Sequence, residues 1–181
     1  WWILQALEHM HSFVTRGALN PHEVVQLIDR GRAFLRSPEA KSEACRKTNL
    51  HGSGYTPPFV ERVADGAPDG EREFFDLLAP ELWPTRLPHD LHPEFSRLGL
   101  GVRSALETIA MRCFQCLDTA AGTTLAANAH NGAHMLRFSR YFAKQDPSRV
   151  IFSAHHDFGL LTLFGGGAAR GLECEFAGTW H

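Results

Sequence analysis

The order of sequence patterns predicts an α+β fold in which helices come first and antiparallel strands second. Through the first two thirds of the 181-residue chain, apolar residues recur at steps of three and four, as on one face of a helix. From about residue 134 the period shortens to two, and glycine-rich turns separate the apolar runs. Helical segments followed by strand segments are typical of an α+β fold. The predicted boundary divides the chain into 1–125 and 126–181.

Helices are predicted over 1–11, 21–36 and 94–119. The second begins with Asn20 as N-cap and Pro21 at the first helical position, and Ser37 and Pro38 end it. Its apolar face consists of Val24, Leu27, Ile28, Phe34 and Leu35. The apolar face of the third consists of Leu98, Val102, Leu106, Ile109, Cys113 and Leu117. Residues 49–70 are rich in turn-forming residues and are predicted to be a loop.

Strands are predicted over 134–142, 149–156, 160–164 and 172–176, so that the sheet begins near residue 134. In "HMLRFSRYF" the pattern alternates, which places Met135, Arg137, Ser139 and Tyr141 on one face of the first strand. The next three apolar runs are divided by glycine-rich turns.

Composition gives no reason to expect nucleic acid or a membrane as a partner. The formal net charge is -2, and no apolar run approaches the roughly 18 residues of a spanning helix. Four cysteines do not suggest a disulfide scaffold, and a reducing cytoplasm fits best. Cys113 and Cys116 form a C-x-x-C without a second pair for zinc, and both are predicted to be small core-facing thiols.

The triplet His155-His156-Asp157 is the candidate for chemistry. On a strand, residues two apart point to the same side, so His155 and Asp157 would share a face. An imidazole and a carboxylate together are two of the three ligands of a 2-His-1-carboxylate iron(II) site. The chain has 11 histidines, so the spacing alone is weak. A polar strand end with exposed side chains is the alternative.

Several segments, in order, resemble the isopenicillin N synthase-like family of iron(II), 2-oxoglutarate-dependent dioxygenases. "HHDFGLLTLF" looks like the iron-binding strand of that family. "LRFSRYF" is similar to the preceding strand, although Phe142 stands where the family has proline. "AFLRSPEAKSEACRK", "GSGYTPPFVE", "EFFDLLAPELWP" and "GLECEFAGTWH" resemble further family segments. The resemblance implies a helical N-terminal part followed by the first strands of a double-stranded β-helix, or jelly roll.

The resemblance also implies residue roles. His155 and Asp157 would be Fe²⁺ ligands, and the phenol of Tyr141 would hydrogen-bond a carboxylate of the cosubstrate 2-oxoglutarate. Arg137 shares the face of Tyr141, where cosubstrate binding and a structural ion pair are the two alternatives. Tyr55 would border the substrate pocket or pack the helical part against the barrel. The implied activity is oxidation of a small organic molecule with 2-oxoglutarate and dioxygen.

The sequence departs from the family in one respect that bears on activity. The family's second histidine ligand, and the Arg-x-Ser pair that grips 2-oxoglutarate, lie well beyond the H-x-D, and no such segment follows Asp157. We therefore expect the chain to be an inactive part of a longer enzyme that binds iron(II) poorly, unless His130, His134 or His181 completes the site. A 2-oxoglutarate-independent oxidase of the same family and a non-catalytic pseudoenzyme are the other hypotheses.

Overall fold

Two amphipathic helices pack on one face of a three-stranded antiparallel sheet. The structure is a computed structural model that describes residues 12–42, 45–47, 52–61, 71–78, 93–130, 132–142, 150, 152, 154–157, 159–167 and 171–180. The helices are α1 (Pro21–Arg36), α2 (Pro93–Ala121) and the short α3 (Leu125–Ala129), with a 3₁₀ helix at Glu39–Lys41. The strands are β1 (Gly54–Thr56), β2 (Arg72–Leu77), β3 (Leu136–Tyr141), β4 (Glu175–Phe176) and β5 (Thr179–Trp180). This mixture of helices and antiparallel strands is an α+β arrangement.

Helix α1 begins and ends where its capping residues predict. The side chain of Asn20 accepts a hydrogen bond of 3.0 Å from the backbone N–H of His22 in the first turn. At the other end Ser37 leaves the helical conformation, and its hydroxyl accepts a hydrogen bond of 3.2 Å from Ala40 in the 3₁₀ helix. The predicted bounds 21–36 are confirmed. The sequence could predict them because the hydrogen bonds at both ends of the helix are local.

Helix α2 extends the predicted 94–119 by one residue at its start and two at its end. Cys113 is buried as predicted, but Cys116 is exposed, so the prediction of two core-facing thiols is wrong for Cys116. The buried side of this turn contains Cys113 and Phe114. At 100° per residue, Cys116 points about 110° away from the centre of that side. Burial raises the pKa of the Cys113 thiol, and Cys116 beside it raises that pKa further.

The sheet has the order β1–β2–β3, and both pairings are antiparallel. It therefore begins at Gly54 rather than near residue 134, and the predicted loop over 49–70 contains a strand. Strand β2 escaped prediction because both of its faces are buried and both carry charged residues, which conceals the alternation. Strand β3 lies in the predicted region 126–181 and pairs with β2, which lies in the predicted region 1–125. One sheet therefore joins the two predicted regions.

Four phenylalanine rings hold the helices on the sheet. Phe34 of α1 lies 5.0 Å from Phe75 of β2 and 4.9 Å from Phe95 of α2, measured between ring centroids. Phe95 also meets Phe138 of β3 at 5.8 Å. Such aromatic pairs contribute about 0.5–1.5 kcal/mol each beyond the burial of their surface. The cluster joins four elements that are far apart in sequence.

The later strand predictions are largely wrong for the described residues. Residues 150, 152, 154–156 and 160–164 form no strand, and the predicted strand 172–176 is reduced to β4 in a two-residue-turn hairpin with β5. Apolar alternation makes a strand only where a partner pairs with its backbone, and within the described residues none pairs with these. The predicted helix over 1–11 lies outside the described residues.

Candidate metal and cosubstrate site

The two faces of the sheet differ in chemistry. Alternation along the strands directs Phe75, Phe138 and Tyr55 toward the helices, on what we call the core face. The opposite side, the charged face, carries Arg72, Phe74, Asp76, Arg137 and Tyr141, and Arg137 lies directly across from Asp76 in the pairing of β2 with β3. The charged face thus brings cationic, anionic and phenolic side chains together, whereas the core face packs on the helices and also carries the ion pair of Glu73 with Arg140.

Asp76 is the centre of the charged face. Its side chain is completely buried, and its carboxylate accepts a hydrogen bond of 2.5 Å from Lys47. Arg137 approaches the same carboxylate with two nitrogens, Nε at 2.8 Å from Oδ1 and Nη2 at 3.1 Å from Oδ2. This two-pronged geometry is the strong form of an arginine–carboxylate pair. Two cations thus compensate one buried negative charge.

Glu61 extends the network. Its two carboxylate oxygens each lie 3.1 Å from Nη1 of Arg137, and it forms a second ion pair with Arg72. Burial of the Arg137 guanidinium lowers its pKa, but the hydrogen bonds and charges of Asp76 and Glu61 outweigh burial and raise it. These contacts are those of the ion-pair alternative for Arg137, and its role toward a cosubstrate stays a prediction.

The two tyrosines that sequence analysis selected lie on opposite sides of the sheet. Tyr141 is 44% exposed on the charged face, across from Arg72. Tyr55 is buried on the core face, where its hydroxyl donates a hydrogen bond of 2.8 Å to Glu73. Burial raises the pKa of Tyr55 strongly, and the hydrogen bond with Glu73 raises it further. The contacts of Tyr55 are those of the packing alternative, whereas Tyr141 is accessible to a ligand.

His155 and Asp157 meet although the predicted strand is not formed around them. Residues 154–157 have no regular secondary structure. The imidazole Nε2 of His155 nevertheless lies 3.2 Å from Oδ1 of Asp157. The other carboxylate oxygen accepts a hydrogen bond of 2.5 Å from the hydroxyl of Thr162. The two atoms of the H-x-D that could bind a metal therefore lie next to each other.

The separation of these donors fits two neighbouring ligands of one metal ion. Two atoms each about 2.1 Å from a metal, and at a right angle to each other, are separated by about 3.0 Å. The 3.2 Å between His155 Nε2 and Asp157 Oδ1 is close to that value. In the part of the chain that the structure describes, however, no group of three histidine, cysteine or acidic side chains is placed to hold a metal. His155 and Asp157 thus fit two of the three ligand positions of the expected 2-His-1-carboxylate site.

The candidates for a third ligand have other surroundings or lie outside the described residues. His130 is exposed at the end of α3. A ring nitrogen of His134 lies 2.6 Å from the carbonyl oxygen of Ala129 and 3.7 Å from Glu107. His181 lies outside the described residues. The structure thus assigns no third ligand.

Phe152 connects the H-x-D to the sheet, and sequence analysis did not identify it. Its ring lies 4.2 Å from the imidazole of His155, between centroids, with the two planes at 65°. The guanidinium of Arg72 lies over the same phenyl ring at 3.9 Å from the centroid. No local signal marks this contact, because Arg72 belongs to a strand 80 residues earlier. The H-x-D is therefore adjacent to the charged face.

Comparison with known proteins adds no assignment. The chain matches no family model, no curated protein and no solved structure. Among the described residues, no helix combines the length and the apolar character that crossing a membrane requires.

Proposed function

We propose that the chain carries part of the iron(II) site of a non-haem oxygenase that oxidises a small organic molecule with 2-oxoglutarate and dioxygen, in the cytoplasm. The observation that carries the proposal is the convergence of His155 Nε2 and Asp157 Oδ1 at 3.2 Å. An imidazole and a carboxylate are two thirds of the ligand set typical of this chemistry. A third ligand would come from a residue that the structure does not assign.

Bound iron(II) would supply the open coordination positions at which cosubstrate and dioxygen react. The chain's own residues bind and orient. His155 and Asp157 hold the cation, and Thr162 fixes the carboxylate by its hydrogen bond of 2.5 Å. The exposed phenol of Tyr141 is suited to donate a hydrogen bond to a carboxylate of 2-oxoglutarate. Arg137 adds positive charge on the same face, although its donors are engaged by Asp76 and Glu61.

The architecture that this function implies is a jelly roll. In such a fold, an antiparallel sheet presents one face to its helices and the other to the ligand cavity. The three-stranded sheet is compatible with that role, because its core face packs on α1 and α2 and its charged face adjoins the H-x-D. We propose that this sheet is one side of a jelly-roll core.

Metal titration tests the proposal directly. Without oxygen, we expect calorimetry to detect weak binding of iron(II) to the chain, because two ligands leave the geometry incomplete. His155→Ala and Asp157→Ala should each reduce the affinity by at least about tenfold. His156→Ala is the matched control, because it removes the neighbouring imidazole and should leave binding unchanged. Equal effects of His155→Ala and His156→Ala would contradict the assignment of the ligands.

A second measurement separates the two oxygen-dependent alternatives. If the site uses 2-oxoglutarate, adding it should tighten iron(II) binding, and Tyr141→Phe should remove part of that gain. No response to 2-oxoglutarate, with metal binding retained, would favour the 2-oxoglutarate-independent oxidase. Because the described residues supply no complete group of three ligands, we expect no release of succinate.

A non-catalytic protein is the second candidate function. It is favoured by the lack of a three-residue ligand group among the described residues. In that case, His155 and Asp157 form only an exposed ion pair. The titration decides between the two, because a solvated pair without metal affinity would respond to none of the substitutions.

A further inference from the structure

Four side chains form an unbroken series of contacts from the sheet to the H-x-D. Arg137 binds Glu61, Glu61 binds Arg72, Arg72 lies over the ring of Phe152, and Phe152 contacts the imidazole of His155. The first three steps are ion pairs and a cation–π contact on the charged face. The last is an aromatic contact with a residue that has no regular secondary structure around it.

The sheet end of this series is rigid. The Arg72 side chain is only 6% exposed, and its backbone belongs to the central strand β2. Glu61 holds the guanidinium from one side, and Arg137, itself bound to the buried Asp76, holds Glu61. A guanidinium is planar, so it can bind a carboxylate in its plane and lie flat on a phenyl ring at the same time. Arg72 is thus a fixed platform for Phe152.

The H-x-D end needs such an anchor. A residue in a sheet is oriented by backbone pairing, but residues 154–157 belong to no strand. Immobilising a side chain on binding costs conformational entropy, so a ligand that is already oriented binds a metal more tightly. The ring of Phe152, at 4.2 Å from the imidazole, limits the directions that His155 can adopt.

We propose that Arg72 and Phe152 are positioning residues that orient the imidazole of His155 for metal binding. Arg72 acts through Phe152, and neither side chain supplies a ligand atom to the ion. The inference rests on the proposed function for the identity of the bound group. The orientation of His155 is a separate property that can be measured without metal.

Histidine-ring NMR tests the orientation in the metal-free chain. The phenyl ring of Phe152 should displace the ring-proton resonances of His155 from those of the exposed His156. In Arg72→Gln, which leaves Phe152 in place, those resonances should move toward the His156 positions and their relaxation should report larger ring motion. Arg72→Lys, which keeps the charge but not the planar group, should have the same effect. Unchanged His155 resonances in a folded Arg72 variant would overturn the proposal.

Arg140→Gln is the matched control for general loosening of the sheet. Like Arg72, Arg140 pairs with a carboxylate, that of the buried Glu73, and lies over a phenyl ring, that of Phe142 rather than Phe152. Its substitution should leave the His155 resonances in place, and an equal displacement would overturn the proposal. If the Arg72 variants fail to fold, Phe152→Leu carries the test, because it should increase the relaxation-detected motion of His155 without unfolding the chain.

Cobalt(II) titration then links orientation to the metal. We expect Arg72→Gln and Phe152→Leu to weaken cobalt(II) binding by about tenfold, the lower end of the effect of outer-shell residues, and Arg140→Gln to leave it unchanged. If these variants kept their affinity for cobalt(II) although His155 became mobile, the positioning role of Arg72 and Phe152 would be overturned. If the unsubstituted chain bound no cobalt(II) while the NMR effects were present, the proposed iron site would fail and the anchoring of His155 by the stack would stand.

Discussion

Asp76→Asn should be among the more destabilising single substitutions on the sheet. Asparagine has nearly the shape of aspartate but no charge, and only one of its two terminal groups accepts hydrogen bonds. The change would leave Lys47 and Arg137 facing a neutral amide in a place where Asp76 has no exposure to water. The two cations would then repel each other without the carboxylate between them.

The structure sets the magnitude of this loss. Removing one partner of a buried ion pair costs about 3–5 kcal/mol. Arg137 keeps Glu61 as a partner and is a quarter exposed, so the lower end of that range, about 3 kcal/mol, applies here. Glu61→Gln is the matched comparison, because Glu61 also pairs with two cations, Arg72 and Arg137, but is 28% exposed. Its loss should cost about 1 kcal/mol.

Urea unfolding followed by far-ultraviolet circular dichroism measures both values. With a denaturant slope of about 2 kcal/mol per molar, the midpoint should fall by about 1.5 M for Asp76→Asn and about 0.5 M for Glu61→Gln. An equal or smaller shift for Asp76→Asn would refute the reasoning. It would mean that Lys47 and Arg137 regain water when the carboxylate is lost, so that the surroundings of Asp76 are open to water.

Four further substitutions test the packing and the hydrogen bonds. Gly31→Ala should destabilise the fold by about 1–3 kcal/mol, because the new Cβ would lie 2.4 Å from Cζ of Phe138. Gly101→Ala has open space around it and should stabilise the helix by up to about 1 kcal/mol. Chemical denaturation measures both changes, and equal stability of the two variants would contradict the packing of Gly31 against Phe138. The raised pKa of Tyr55 means that the folded state keeps a proton that the unfolded state loses, so the contribution of Tyr55 to stability should be constant below about pH 10 and decline above it. Tyr55→Phe should lower the free energy of unfolding by about 1 kcal/mol at neutral pH. In melting experiments at increasing pH, its stability should fall less above about pH 10 than that of the unsubstituted protein. An equal fall in both proteins would exclude Tyr55 as the cause. The carboxylate of Asp118 accepts hydrogen bonds from the backbone of the first turn of α3. Asp118→Ala should therefore speed amide hydrogen exchange in that turn. Unchanged exchange would show that the turn does not depend on the Asp118 carboxylate.

Local patterns were sufficient for the elements that the sequence predicts well. Helix α1 has Asn20 and Ser37 at its ends and an apolar face between them, and each of these features acts within a few residues. Strand β3 alternates over its whole length, so it could be predicted before its partner was known. The placement of His155 two residues from Asp157 likewise follows from the chain alone, and the two side chains meet without the strand that was expected to align them.

The tertiary structure decided what depends on partners far along the chain. Strand β2 buries Glu73 and Asp76, which local propensity would leave in a loop, because Arg140 and Arg137 of β3 compensate them from 67 and 61 residues away. Which face Tyr55 occupies, and which cation lies over the Phe152 ring beside His155, depend on distant partners in the same way. Periodicity reports whether a position is buried, but a buried charge is stable only beside its counterion. The sequence by itself therefore determined α1, α2, β3 and the spacing of the H-x-D, and only the folded chain determined which charges lie beside that site.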